Sequence, residues 1–166
     1  MPSQPTGLTT LLVELAASGV DFVLVGGLAA VAQGAPVTTF DVDIVHARAP
    51  ENIDRLVAFL TRVNARYRGR PGGSPVPPSR SALEGLGHSL FMTDLGPLDV
   101  LGAIEGGRSF DDLIPDSVTL DLEGHRVRVL SLAAIVRIKR SSTHPKNQQA
   151  LPVLEEALRQ LNELED

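Results

Sequence analysis

The run Phe22-Val23-Leu24-Val25, four apolar residues with no polar interruption, closed by Gly26-Gly27, constrains the fold most. A strand with one wet face alternates; a short continuous run reads as a strand covered on both sides. Helices must supply that cover. Upstream, Leu8, Leu11, Leu12, Leu15 and Ala16 recur at helical spacing, with Gly19 as a stop. Downstream, Leu28 to Gln33 is alanine-rich and suits a short helix closed by Gly34.

Thr39 to Val45 is a second predicted strand. Alternation turns Phe40, Val42 and Ile44 to one face and Thr39, Asp41, Asp43 and Val45 to the other. Pro50-Glu51 opens a helix with Ile53, Leu56, Val57, Leu60 and Val63 on its apolar face. Glycines and prolines between 64 and 85 rule out a regular element through the middle of that stretch, which reads as a long loop, either substrate-gripping or disordered. Strands are expected at Leu86–Thr93 and Leu98–Leu101, with a turn at 94–97, and a hairpin at Val118–Leu122 and Arg126–Leu130. Ser131 caps a helix carrying Leu132, Ile135 and Val136, and Leu151, Leu154, Leu158 and Leu161 mark a last one. This order predicts an α/β (α+β) fold: a mixed sheet flanked by helices, with residues 1–130 as the core and 131–166 as a helical segment packed on the same domain.

With no cysteine in the 166 residues, thiolate metal sites, disulfides and cysteine nucleophiles are excluded. No apolar run is long enough to suggest a membrane span, and Met1–Gly7 lacks the layout of a signal peptide, so a cytoplasmic protein with no membrane partner is expected. A net charge of −5 argues against a surface made chiefly for polyanions. Arg62, Arg66, Arg68, Arg70 and Arg80 nevertheless form a local cluster, read as either a basic patch or a solvated loop. His46, His88, His125 and His144 have no ligand spacing.

Asp41 and Asp43, two apart on one strand, project their carboxylates to the same face. Such a pair is either a solvated strand edge or a seat for a hard divalent cation. Gly26-Gly27 leaves bare backbone N–H groups where a strand turns into a helix, an arrangement suited to phosphate oxygens. A third carboxylate, Asp99, sits between apolar neighbours in a later predicted strand. If the two strands are adjacent, the three carboxylates suit two Mg²⁺ ions and phosphoryl transfer.

Gly26-Gly27, Asp41-Val42-Asp43 and the later Asp99 resemble the nucleotidyltransferase superfamily of the DNA polymerase β type. Within it, Gly26-Gly27-Leu28-Ala29-Ala30 and Thr39-Phe40-Asp41-Val42-Asp43-Ile44 are similar to the AbiE-type (AbiEii-like) toxins of bacterial toxin–antitoxin pairs. The resemblance implies Asp41, Asp43 and Asp99 as metal ligands for Mg²⁺, with Mn²⁺ as a substitute, and Asp99 also as general base. It implies Gly26, Gly27, Thr39, Lys139 and Lys146 as nucleotide-binding residues, with Lys139 facing the phosphates. The chain departs from the family pattern at Val37, where relatives often carry arginine, and at Asn147, where they tend to carry aspartate.

The activity so implied is transfer of a nucleoside monophosphate from an NTP to a hydroxyl. A tRNA acceptor gripped by the arginines of 62–80, and a cognate antitoxin, follow from the toxin likeness. The acidic net charge favours instead a small-molecule or a partner-protein acceptor, the latter adenylylated, and an inert partner-binding module is the remaining alternative. Phosphorylation of Thr39 would set added negative charge beside the carboxylates and silence the site.

Overall fold

In a computed structural model, residues 7–69 and 73–165 are described; Arg70, Pro71, Gly72 and all of the Met1–Gly7 segment read for a signal peptide except Gly7 lie outside them. In chain order the elements are α1 (Gly7–Ala17), β1 (Phe22–Val25), α2 (Gly26–Ala32), β2 (Val42–His46), α3 (Pro50–Arg62), β3 (Arg66–Tyr67), α4 (Arg80–Leu83), β4 (His88–Thr93) and β5 (Gly96–Leu101). There follow α5 (Phe110–Leu113), β6 (Ser117–Leu122), β7 (His125–Leu130), α6 (Leu132–Ser141) and α7 (Pro145–Glu165). The strands make one mixed sheet in the order β3-β4-β5-β2-β1-β7-β6.

All four residues of β1 are buried, as their uninterrupted apolarity requires of a strand near the sheet centre. It pairs antiparallel with β2 and parallel with β7. On β2, Val42, Ile44 and Val45 are all buried, so both faces of this strand are covered. Leu11 and Leu15 of α1, Leu56 and Leu60 of α3 and Ile135 of α6 join the same core. Ser131 caps α6 through its side chain, which accepts from the Ala134 N–H.

Three expectations need correction. The second strand begins at Val42, not Thr39, and Phe40, assigned to the buried face, is 76% exposed. On that side the pairing ends where Val25 meets Asp43, because the chain turns at Gly26 into α2; before Val42 the alternation has no β1 partner to act through. The 64–85 stretch is not all loop. Arg66–Tyr67 adds an edge strand to β4, with Tyr67 against Phe91 at 4.7 Å between ring centroids, and Ser79 caps α4. The first predicted strand of the next hairpin starts at His88 rather than Leu86.

No helix among the described residues is long and apolar enough to cross a membrane.

Candidate active site

Sheet register builds the acidic cluster. Asp43 on β2 lies opposite Val25, the last residue of β1, and beside Asp99 on the parallel strand β5. Asp41, just before β2, completes a group in which one carboxylate oxygen from each aspartate lies within 4.8 Å of the others. The adjacency that would bring the three together is therefore present, although nothing in the local sequence specifies that β2 pairs with β5.

Like charges this close repel, and the structure registers the cost. The Asp43 carboxyl is pushed from its ordinary 3.8 up to about 7, first by burial, then by its hydrogen bond to Asp99 and the charges of Asp99 and Asp41; the Arg68 charge opposes the rise. Its Oδ1 is buried and has no hydrogen-bond partner among the described residues. An orphaned buried oxygen within a set of oxygen donors fits a hard cation such as Mg²⁺ or Mn²⁺, which would take up the lone pair and the repulsion together. Asp41, Asp43 and Asp99 are the residues that would hold it.

The glycines are explained by close approach. Gly26 has φ +73°, and a Cβ there would stand 2.1 Å from Asp43 Oδ2, so only glycine lets the carboxylate lie against the start of α2. At Gly27 a Cβ would stand 2.9 Å from Thr39 Oγ1. The Thr39 hydroxyl donates to the Asp41 carbonyl at 3.3 Å, which ties the segment before β2 to the cluster.

A cleft of about 420 Å³ opens beside these residues, lined by Gly26, Gly27, Thr39, Asp41, Asp43, Lys139 and Lys146, with Asn147 and Val37 also in its wall. Lys139 comes from α6 and Lys146 from α7. Burial pulls the Lys139 ammonium below its ordinary pKa, while nearby Glu105 opposes that shift. Its Nζ donates to Asn147 Oδ1 at 3.0 Å, and Asn147 in turn donates to Ser142 Oγ at 2.7 Å. The departure at Asn147 thus has a local meaning: an amide holds Lys139 in place without neutralising it, as a carboxylate would.

The described arginines of 62–80 face acids. Arg62 pairs with Glu14, Arg66 with Asp94, and Arg80 with Asp54 and Glu84. Arg68 pairs with Asp99 itself, at 2.6 Å. Sequence reasoning placed Arg68 in the loop cluster and missed this contact. Alternation of Arg66, Tyr67 and Arg68 could have suggested a strand, but not a partner 31 residues away. Glu105, near Lys139, was also missed. His46 is buried, with Nε2 2.7 Å from the Leu83 carbonyl, and its depressed pKa follows first from that burial; it is structural.

The chain matches no protein-family model and no curated protein sequence. Its fold is similar to those of solved nucleotidyltransferases. The lincosamide antibiotic adenylyltransferase LnuA, solved with lincomycin, has a TM-score of 0.58 at 13% identity over 91% of this chain and 96% of that one. ANT(2")-Ia, solved with adenylyl-2"-tobramycin, has a TM-score of 0.56 at 16% identity over 96% and 95%. A nucleotidyltransferase-like protein from Paracoccidioides brasiliensis has 0.53 at 18% identity over 92% and 73%. The mixed sheet with its flanking helices is therefore the nucleotidyltransferase fold.

Proposed function

We propose that the chain is a metal-dependent nucleotidyltransferase that moves a nucleoside monophosphate from an NTP to a hydroxyl acceptor, releasing pyrophosphate. The observation that carries this reading is the convergence of Asp41, Asp43 and Asp99 beside the Gly26 turn, in a cleft that also receives Lys139 and Lys146. Mg²⁺ held by the three aspartates, as one ion or two and replaceable by Mn²⁺, would supply charge neutralisation and alignment of the phosphates. The chain's own groups do the rest. Backbone N–H groups at Gly26-Gly27 donate to the phosphates at close range, and Lys139 and Lys146 offset charge building on the leaving pyrophosphate. Asp99 takes the proton of the acceptor hydroxyl as its oxygen bonds to the α-phosphorus and the bond to pyrophosphate breaks. Residues 131–166 serve the same site as the 1–130 core, because both lysines come from them.

A small hydroxyl-bearing molecule is the acceptor class best supported. The net charge of −5 argues against a surface made chiefly for an RNA backbone, and Arg68, the most enclosed of the described arginines of 62–80, is turned onto Asp99. The named structural neighbours ANT(2")-Ia and LnuA were solved with an adenylylated antibiotic and an antibiotic, respectively. The tRNA-modifying toxin with a cognate antitoxin is the second reading, favoured by the motif likeness of residues 24 to 45. Under either reading, a phosphate on Thr39 would stand in the cleft wall; Thr39→Glu should then be inactive and Thr39→Ala active and folded.

The test is incubation with Mg²⁺ and each α-phosphate-radiolabelled NTP in the presence of a small-molecule extract, total tRNA and a protein lysate, against Asp41→Ala. Label in the small-molecule fraction that depends on Asp41 supports the first reading, and label on tRNA the second. Label on protein selects the adenylylating alternative. No transfer and no metal-dependent NTP binding leaves only the inert partner-binding module.

A further inference from the structure

Arg68 follows β3, and its backbone is pinned to β4 by an N–H bond to the Leu90 carbonyl at 2.9 Å. Its guanidinium is held at two points: Nη1 donates to the Phe91 carbonyl and Nη2 to Asp99 Oδ1, both at 2.6 Å. Leu90 is the register partner of Asp99, so the β4–β5 pairing itself sets the guanidinium against that carboxylate. The side chains are 26% and 15% exposed, which makes this the most enclosed ion pair among the described residues. Its neighbours Arg62, Arg66 and Arg80 pair with Glu14, Asp94 and Asp54, well outside the triad.

A guanidinium does not lose its proton under ordinary conditions, so Arg68 is a fixed positive charge on one of the three carboxylates. It lowers the repulsion within the triad, and it also opposes any further cation brought to Asp99. We infer that Arg68 is a positioning residue that serves as the resident counter-ion of Asp99 and competes with the divalent cation for that carboxylate. This inference rests on the reading of the triad as a metal site. Its consequence is that the site binds the bare cation weakly: entry of the metal requires Arg68 to yield Asp99 or to share it.

An ordinary orienting partner of a metal ligand has the opposite signature, because removing it weakens metal affinity by about 10–100-fold. The experiment is a titration of the whole chain with Mn²⁺ alone, without nucleotide, reading free Mn²⁺ by electron paramagnetic resonance. Arg68→Gln should bind Mn²⁺ about tenfold more tightly than wild type, since a unit charge is removed beside the dication. Arg68→Lys, which keeps the charge, should stay within about threefold of wild type. Wild type that binds Mn²⁺, with a folded Arg68→Gln that binds it equally or less well, overturns the inference and leaves the proposed function standing. Failure of both to bind overturns the inference and the reading of the triad. Should Arg68→Gln not fold, side-chain nitrogen NMR of wild type decides: Mg²⁺ should shift the Arg68 guanidinium resonance, assigned by its absence from Arg68→Lys, and an unmoved resonance overturns the inference.

Discussion

Replacing Asp43 by asparagine should stabilise the chain in EDTA while abolishing its response to divalent cations. The Asp43 carboxyl is raised from 3.8 to about 7, so between those values the folded chain holds a proton that the unfolded chain has released. Stability is then greatest below the unfolded value, falls as pH rises toward 7, and is flat beyond. The full rise corresponds to at most about 4 kcal/mol at pH 8. Because burial and neighbouring charges both contribute to the rise and the asparagine amide is itself buried, about half of that, ~2 kcal/mol, is the expected gain on removing the charge. For a domain of this length it raises Tm by about 4–8 °C. At pH 5 only roughly a third of the gain should remain, because most of the titration lies above that pH. The assay is thermal unfolding of wild type and Asp43→Asn in EDTA at pH 5 and pH 8, repeated with excess Mg²⁺. Wild type should gain stability from Mg²⁺ by mass action and the variant should not. A variant that melts below wild type at pH 8 in EDTA, or a difference that shrinks from pH 5 to pH 8, would refute the reasoning.

The remaining expectations concern the walls of the site and its support. Gly26→Ala must place a Cβ on Asp43 Oδ2 at positive φ. It should cost about 1–2 kcal/mol in backbone strain and about 100-fold in transfer rate through the displaced carboxylate, read by thermal melting and by pyrophosphate release. Lys139→Met should lower kcat/KM for the NTP by about 100-fold with little change in Tm. Asn147→Asp, which sets a carboxylate against Lys139 Nζ in place of the 3.0 Å amide contact, should weaken NTP binding by about tenfold in a direct titration. Phe91→Ala empties a fully buried position against Tyr67 and should cost about 3–5 kcal/mol in denaturant unfolding.

What the sequence made legible were features written locally. Four uninterrupted apolar residues identify β1, the Ser131 cap starts α6, and Asp41 and Asp43 can be recognised because both residues of the pair lie within one short segment. Partner choice is not local. That β2 pairs with β5, bringing Asp43 beside Asp99, depends on how the sheet closes over a chain distance of more than fifty residues, and the Arg68–Asp99 contact closes over 31. The exposed Phe40 misled the alternation rule because pairing with β1 stops at Asp43. The two-residue strand β3 exists because β4 offers it an edge and Phe91 offers Tyr67 a surface, neither of which its own sequence announces. The capping box of Ser109 and Asp112 was readable, but it opens a helix of only four residues, with too little apolar periodicity to stand out.

The most direct test of the central claim is a crystal of the chain soaked with Mn²⁺ and a non-hydrolysable NTP, examined at the manganese absorption edge. Anomalous density is expected within coordinating distance of Asp41, Asp43 and Asp99, with the triphosphate lying against Gly26-Gly27 and Lys139. Nucleotide bound elsewhere, or manganese absent from the three carboxylates at saturating concentration, would contradict that claim.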